Sequence, residues 1–402
     1  MGIRICTPAE TDWEQFAFVD ARNFGFSYTA EQLAQRRPSI DLSRFRLARD
    51  GDEIVGVAGS YAFDVALPGG AAVPMAGITW VSVSPTHRRQ GVLTRLMEAC
   101  HDDIDGRGEP VAALFASQAP IYERFGYGLA TMWRDIAIDT RAAEVAPSFR
   151  QPADSVRFMD PDESAVVVPA IWDRYWRTRP GELSRSPERD ELVRTVRAKP
   201  EGDTSPAFYL RHADGYAIYR VAMKWNSGCP NHEVHLDELV AVTPDAHAAL
   251  WQTLLGIDLV GSIVSERVPI DEPLPFLLSD FRAVRTTNLS DGVWVNVRDA
   301  VVAFGARSYG TDDRVVVEVT DGALQGRRYA IEGAPDGSSC RIVRSRPDLT
   351  VTHAALGSLL YGGIRPSALA AGRRLTARNA AVMRRADLFF LGECAPNCAT
   401  MF

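Results

Sequence analysis

The sequence is poor in lysine, in long apolar runs and in paired cysteines, and each shortage removes a class of protein. All but two of its 44 basic residues are arginine, the exceptions being Lys199 and Lys224, and the net charge is −7. A nucleic-acid binder needs a basic field to hold phosphates, and a tail addressed to an anionic membrane needs clustered cations. Neither is present. No segment approaches the roughly 18 to 20 uninterrupted apolar residues that spanning a bilayer requires. The first twenty residues, MGIRICTPAETDWEQFAFVD, mix charged with apolar groups and hold no apolar stretch of signal-peptide length, so the expectation is a cytoplasmic protein. Cys6, Cys100, Cys229, Cys340, Cys394 and Cys398 form no CxxC pair and no two-plus-two zinc spacing, which points to reduced thiols and no metal. Walker and dinucleotide glycine spacings are missing as well.

What is there is a globular composition: 46% apolar, 24% charged and 9% aromatic over 402 residues, enough for two or three domains. Thr7-Pro8-Ala9-Glu10 has the pattern of a capping box and predicts a helix start. Residues 45–67 read as two strands joined through Asp50-Gly51, a dipeptide that tolerates positive φ in a tight turn. GITWVSV (77–83) predicts a strand, SPTHRRQG a turn, and Val92, Leu93, Leu96, Met97, Cys100 and Ile104 lie at helical spacing. VAALFAS (111–117) reads as a buried strand, Pro120 to Arg124 as a short helix and MWRDIAID as a closing strand. This first α/β unit spans residues 1–145.

A linker-like stretch at 141–155 leads to a second unit, 156–288, with helices near 161–177 and after Ser186-Pro187, then the hairpin AFYLRH-ADG-YAIYRVAM. ELVAV, TPDAHAALWQTLLG and VGSIVSE repeat the strand, helix, strand order. Val81-Ser82-Val83-Ser84-Pro85 is matched by Val240-Ala241-Val242-Thr243-Pro244, and that register sets His247-Ala248-Ala249-Leu250 against Arg88-Arg89-Gln90-Gly91. The second unit therefore reads as a degenerate copy that has lost the cations and the glycine. From 290 to 402 short strands (GVWVNV, RVVVEVT, RRYAIEG, CRIVRS) and helical stretches at 353–361 and 376–390 predict a third, α+β domain. Its tail ends on two apolar residues and is expected to dock into the protein.

The turn from Ser84 to Thr94 carries the chemistry. A helix N-terminus exposes unpaired amides and a partial positive charge, so an anion can rest there. Gly91 admits a phosphate close to the backbone, and Arg88 and Arg89 add charge.

With this turn, and with VSVSPTHRRQGVLTRLM and ASQAPIYERFGYG around it, the chain resembles the GCN5-related N-acetyltransferases (GNAT). Their pyrophosphate loop, Gln/Arg-x-x-Gly-x-Gly/Ala, reads here as Arg88-Arg89-Gln90-Gly91-Val92-Leu93, with Leu93 departing from the small residue. Together with the degenerate second unit, the third domain and a final Phe, these motifs resemble the enhanced intracellular survival (Eis) family across essentially the whole chain. The resemblance implies an α+β fold of two tandem acetyltransferase domains, only the first active, followed by a sterol-carrier-protein-like domain, in a homohexamer. It implies acetyl-CoA as co-substrate and an amine acceptor, including aminoglycoside antibiotics. A protein lysine acceptor, or a non-enzymatic carrier of an apolar ligand in the third domain, are the alternatives.

By the same resemblance Val81, Ser82 and Val83 lie beside the pantetheine arm, with the Val83 amide aimed at the thioester carbonyl. Arg88, Arg89, Gln90, Gly91, Val92, Leu93 and Thr94 hold the phosphates, and Ser117 and Gln118 complete the site. Tyr122 matches the general acid that protonates the departing thiolate, and the α-carboxylate of Phe402 the base that takes the amine proton. Met401 stands where a well-known member has an acidic residue, and NFGFSY (23–28) lacks a second one. Trp80 is left as an aromatic wall for a cation. His87 and His101 flank the turn and its helix as possible bases. His232-Glu233-Val234-His235 is expected on a strand, which turns the two imidazoles to opposite faces and makes them structural.

Overall fold

The computed structural model describes residues 2–402, which divide into two compact units. One holds the chain up to Thr131, Gly292–Glu393 and Thr400–Phe402; the other holds Met132–Asp291 and Cys394–Ala399.

The first unit opens with β1 (Arg4–Cys6) and a 3-10 turn over Glu10–Asp12 that leads into α1 (Trp13–Phe24). The Asp12 carboxylate accepts the Ala9 amide at 2.9 Å, so the start is fastened at Ala9 and Asp12 rather than at the expected Thr7. Trp13, Phe16, Ala17 and Val19 are buried on the face of α1 that packs on the sheet, as 3.6-residue periodicity requires. The chain continues through α2 (Ala30–Arg36), β2 (Phe45–Asp50), β3 (Glu53–Ala66), β4 (Ala72–Val83), α3 (Val92–Arg107), β5 (Val111–Phe115), α4 (Ala119–Tyr122) and β6 (Gly128–Leu129). The Asp50-Gly51 hairpin is present, with Gly51 at φ 60°.

The strand order is β1-β2-β3-β4-β5, then Val293–Val297, then β6. β4 and β5 run parallel but pair only from Met75↔Val111 to Gly77↔Ala113. Past that point Trp80, at φ 54°, bulges out of β4, and its register on β3 jumps from Gly59↔Thr79 to Val57↔Ser82. A bulge bends and twists the strand that carries it. The two parallel strands part there, and β5 pairs on its other side with Val293–Val297.

The second unit runs β7 (Met132–Asp139), β8 (Arg157–Met159), α5 (Pro161–Tyr175), α6 (Pro187–Arg197), β9 (Phe208–His212), β10 (Gly215–Ala222), the small hairpin β11 (Trp225–Asn226) and β12 (Cys229–Pro230), β13 (His232–Ala241), α7 (Pro244–Leu255), β14 (Val260–Pro269), α8 (Leu274–Leu277) and β15 (Val284–Asp291). Its sheet order is β15-β7-β14-β13-β10-β9-β8. Leu250, Trp251 and Leu254 of α7 pack on Val234, Leu236 and Ile263.

The remainder of the first unit comprises β16 (Val293–Val297), α9 (Ala300–Ala306), β17 (Asp313–Val319), β18 (Arg328–Ala334), β19 (Gly337–Ile342), β20 (Leu349–Val351), α10 (His353–Leu359), α11 (Pro366–Ala371), β21 (Leu375–Ala377) and α12 (Ala380–Phe389). Five of these strands form the sheet β19-β18-β17-β20-β21.

Two expected memberships are corrected. MWRDIAID, read as closing the first unit, is β7 of the second sheet, and GVWVNV, read as opening the third domain, is β16 inside the first. Apolar alternation makes both strands but does not choose their neighbours. The register of the repeat also shifts: eight residues, 84–91, separate β4 from α3, whereas only 242 and 243 separate β13 from α7. His247, Ala248, Ala249 and Leu250 are therefore interior helix residues and not a counterpart of the Arg-Arg-Gln-Gly turn.

Among the described residues no helix is long and apolar enough to cross a membrane, and no cluster of His, Cys, Asp or Glu has the makings of a metal site.

Candidate active site

Where β4 and β5 part, a cleft of about 810 Å³ opens over the N-terminus of α3. Its walls include Val81, Ser82, Val83, Arg88, Arg89, Gly91, Val92, Leu93, Thr94, Ser117, Gln118 and Tyr122, all expected from the sequence. Gln90 is not on the wall; its amide donates to the Thr86 carbonyl at 3.4 Å and braces the turn.

Backbone geometry prepares the turn for an anion. Arg89 and Gly91 both adopt positive φ, 62° and 76°, and no side chain caps α3, whose N-cap is Gly91. Successive residues of this kind turn their amides into one concavity, and the uncapped helix end adds its partial charge. A Cβ on Gly91 would meet nothing within 4 Å, so the glycine serves conformation and open access. The Arg88 and Arg89 side chains are exposed at the rim, Arg88 reaching back to the Val83 carbonyl at 3.5 Å. The residues present fit a pyrophosphate. On the β5 side, β4 has no ladder partner beyond Gly77, which leaves the edge at Val81–Val83 free to pair with an extended amide-bearing arm.

Tyr122, at the C-terminal end of α4, is 5% accessible and faces this cleft. Burial pushes its phenol up, with Ser117 acting in the opposite direction, so the group stays protonated at neutral pH. Phe402 comes to the floor of the split. Its ring centroid lies 4.9 Å from Phe115 and 5.3 Å from Phe63. A Cβ on Gly77 would stand 2.8 Å from the same ring. The last residue thus docks on the final β4–β5 pair, and Gly77 makes the room.

Three expectations change. Trp80 is not an open wall: it is 9% accessible, packed among Trp13, Phe16, Phe45 and Tyr28, and its indole donates to the Tyr61 hydroxyl at 3.0 Å. Its left-handed backbone is what turns the ring into that core. His101 is buried under α3, 2.9 Å from the Tyr127 hydroxyl, and desolvation drives its pKa down to about 3, which removes it as a base facing the cleft. His87 does line the cleft, held by the Thr86 hydroxyl at 2.8 Å. His232 and His235 alternate buried and half-buried along β13, as expected of a strand.

The sequence reading missed the contribution of α1. Asn23 and Phe24 line the cleft, and Asp20, one turn earlier, is 5% accessible. The signal was an Asp and an Asn three residues apart on an otherwise apolar helical face.

Residues 4–130 match the model of an acetyltransferase (GNAT) domain, 169–298 a second acetyltransferase (GNAT) domain, and 300–399 a sterol carrier protein domain. The chain is 35% identical over 413 residues to N-acetyltransferase Eis of Mycobacterium bovis, covering 100% of both. It is 36% identical over 399 residues to an uncharacterized N-acetyltransferase of Streptomyces avermitilis, covering 96% of each. The crystal structure of Eis1 from Mycobacterium abscessus superposes with a TM-score of 0.90 at 32% identity over 100% of both chains. A GCN5-related N-acetyltransferase from Anabaena variabilis, 17% identical with a TM-score of 0.84, shares the fold.

Proposed function

Since the chain belongs to the Eis family of N-acetyltransferases, we propose that it moves the acetyl group of acetyl-CoA directly onto a primary amine, aminoglycosides among the acceptors. The observation that carries this reading is the parting of β4 and β5 at Gly77, which sets the amide-rich turn 88–94 at one end of a single cleft and Tyr122 on its wall.

Arg88, Arg89 and the amides of residues 89–94 would hold the pyrophosphate, while the open edge at Val81–Val83 aligns the pantetheine arm. The Val83 amide polarises the thioester carbonyl, and Ser117 and Gln118 close the opposite wall. The neutral amine adds to that carbonyl, the C–N bond forms, and the C–S bond breaks as the Tyr122 hydroxyl hands its proton to the departing sulfur. The α-carboxylate of Phe402, whose ring is seated against Phe63, Phe115 and Gly77, would receive the amine proton.

A cytoplasmic homohexamer that confers aminoglycoside resistance is part of the same proposal. The test is titration calorimetry with acetyl-CoA, followed by an acceptor screen that reads released thiol against aminoglycosides, polyamines and lysine peptides. Heat on binding and thiol release with aminoglycosides are expected. Binding with release only on peptides reassigns the acceptor, and absence of binding removes the enzymatic reading.

A further inference from the structure

Tyr122 is the last residue of α4, and a helix of four residues is too short to hold a side chain still by itself. The residues that follow close a tight turn. Gly126, at φ 89°, donates its amide to the Glu123 carbonyl at 2.9 Å, and Tyr127 donates to the Tyr122 carbonyl at 3.3 Å. Three groups from far along the chain grip this turn. The side-chain amide of Asn296, buried on β16, donates to the Phe125 carbonyl at 2.6 Å. A carbonyl only accepts, so that bond fixes the amide with Nδ2 toward the turn. A Cβ on Gly126 would stand 2.7 Å from His353 Nδ1 and 3.1 Å from Asn296 Nδ2, so the turn comes this close only as glycine. His353 opens α10, and its ring is pinned with Nε2 2.8 Å from the Val297 carbonyl. Arg374, just before β21, pairs with Glu123, the residue next to Tyr122.

β16 is otherwise apolar, VWVNV, and a buried amide is costly in such a strand unless it bonds. None of the three gripping residues is on the cleft wall. Each reaches the chemistry only through the turn. A general acid has to meet the departing atom within hydrogen-bond reach, and a misplacement of about 1 Å can cost about 100-fold in rate.

We propose that Asn296, backed by His353 and Arg374, is a positioning residue for the Tyr122 hydroxyl, so that the chain beyond Gly292 takes part in acetyl transfer by aiming the acid. This deepens the acetyltransferase reading and rests on Tyr122 as its acid.

The experiment places Asn296→Leu in the full-length wild type and in Tyr122→Phe. Thiol release with neomycin as acceptor gives kcat and the acetyl-CoA KM, and a 3-fluorotyrosine at position 122 is followed by 19F NMR. In the wild-type background kcat should fall by about 10- to 100-fold with KM unchanged, and the fluorine resonance should move. In Tyr122→Phe, where no hydroxyl is left to aim, the same substitution should cost nothing further. Arg374→Ala, at the surface, should lower kcat by about threefold in the wild-type background only, and the swap of Glu123→Arg with Arg374→Glu should recover it. Wild-type kcat in Asn296→Leu overturns the assignment, as does an unmoved fluorine signal. Equal fractional losses in the two backgrounds also overturn it, because they mark an effect on the fold. Should Asn296→Leu fail to fold, the Arg374 variants decide by the same comparison. If Tyr122→Phe keeps full turnover while the fluorine signal still moves in Asn296→Leu, the grip on the turn stands and the acid reading falls.

Discussion

The two strand–helix junctions of the repeat differ most in what they leave unpaired. After β4, eight residues, 84–91, form a 3-10 turn and a loop ending in Gly91, which starts α3 with no side-chain cap. After β13, Thr243 directly accepts the Ala246 amide at 3.2 Å, Pro244 takes the first helical position, and α7 is closed on itself. The same holds for buried carboxylates. In the second unit Glu272 accepts from the Leu274 amide at 3.0 Å and pairs with His247 at 2.7 Å. Glu238 is held by Arg185 and Arg197, which draw its pKa down to about 2. Glu182 accepts from Asn397 at 3.0 Å and Ala399 at 2.9 Å. In the first unit burial raises the Asp20 pKa to about 6, against its hydrogen bond with Ser82. The short helices after β5 and β14 continue the contrast: α4 ends in Tyr122, whereas α8, with a proline at the same second position, ends in Leu277. At this helix start and at these three carboxylates the second unit satisfies its own polar groups, whereas the corresponding helix start of the first stays open for a ligand.

Four perturbations would break or sharpen this contrast. The largest effect is expected from Tyr122→Phe, which makes the first unit resemble the second at its acid: kcat should fall by about 100- to 10,000-fold with acetyl-CoA affinity intact, as read by thiol release and calorimetry. Gly77→Ala should displace the Phe402 ring from its seat. The loss of turnover should match that of a variant extended beyond Phe402, by about 10-fold or more if positioning of the terminal group matters; unequal losses would separate the ring's role from the carboxylate's.

Asp20→Asn should stabilise the fold at neutral pH. The folded-state pKa is raised from 3.8 to about 6, so the folded state binds the proton more tightly. The stability associated with that proton is fully present below about pH 4 and lost as pH rises through about 6. Removing the charge should restore about 3 kcal/mol at pH 7.5 and nothing at pH 3.5, measurable as a Tm gain confined to the higher pH. The smallest effect belongs to the second junction: Thr243→Ala should cost about 1 kcal/mol of stability by denaturant unfolding and leave turnover unchanged.

Much of the site was legible because its residues are contiguous. The turn 84–94 states its own helix start, its glycine and its cations, and Tyr122 lies within one readable string. What was not legible depends on partners distant in the chain. Nothing local in MWRDIAID or GVWVNV says which sheet they join, since each buries an apolar face equally well in either. Trp80 looked like an exposed aromatic wall because its bulge, set by the register against Gly59 and Val57, has no local signature. His101 sits on a helix whose polar face is easy to overestimate until Tyr127 is seen to cover it.

Sequence alone determined the run of elements from β2 to α4, the anion-binding turn and the family, because local periodicity and glycine placement are fixed by neighbours within a few residues. Tertiary structure decided where β4 and β5 part, that the ring of Phe402 rests on Gly77, and that Asp20 meets Ser82. Those outcomes depend on contacts between residues tens to hundreds of positions apart, where burial and strand register set the energy and no local pattern records it.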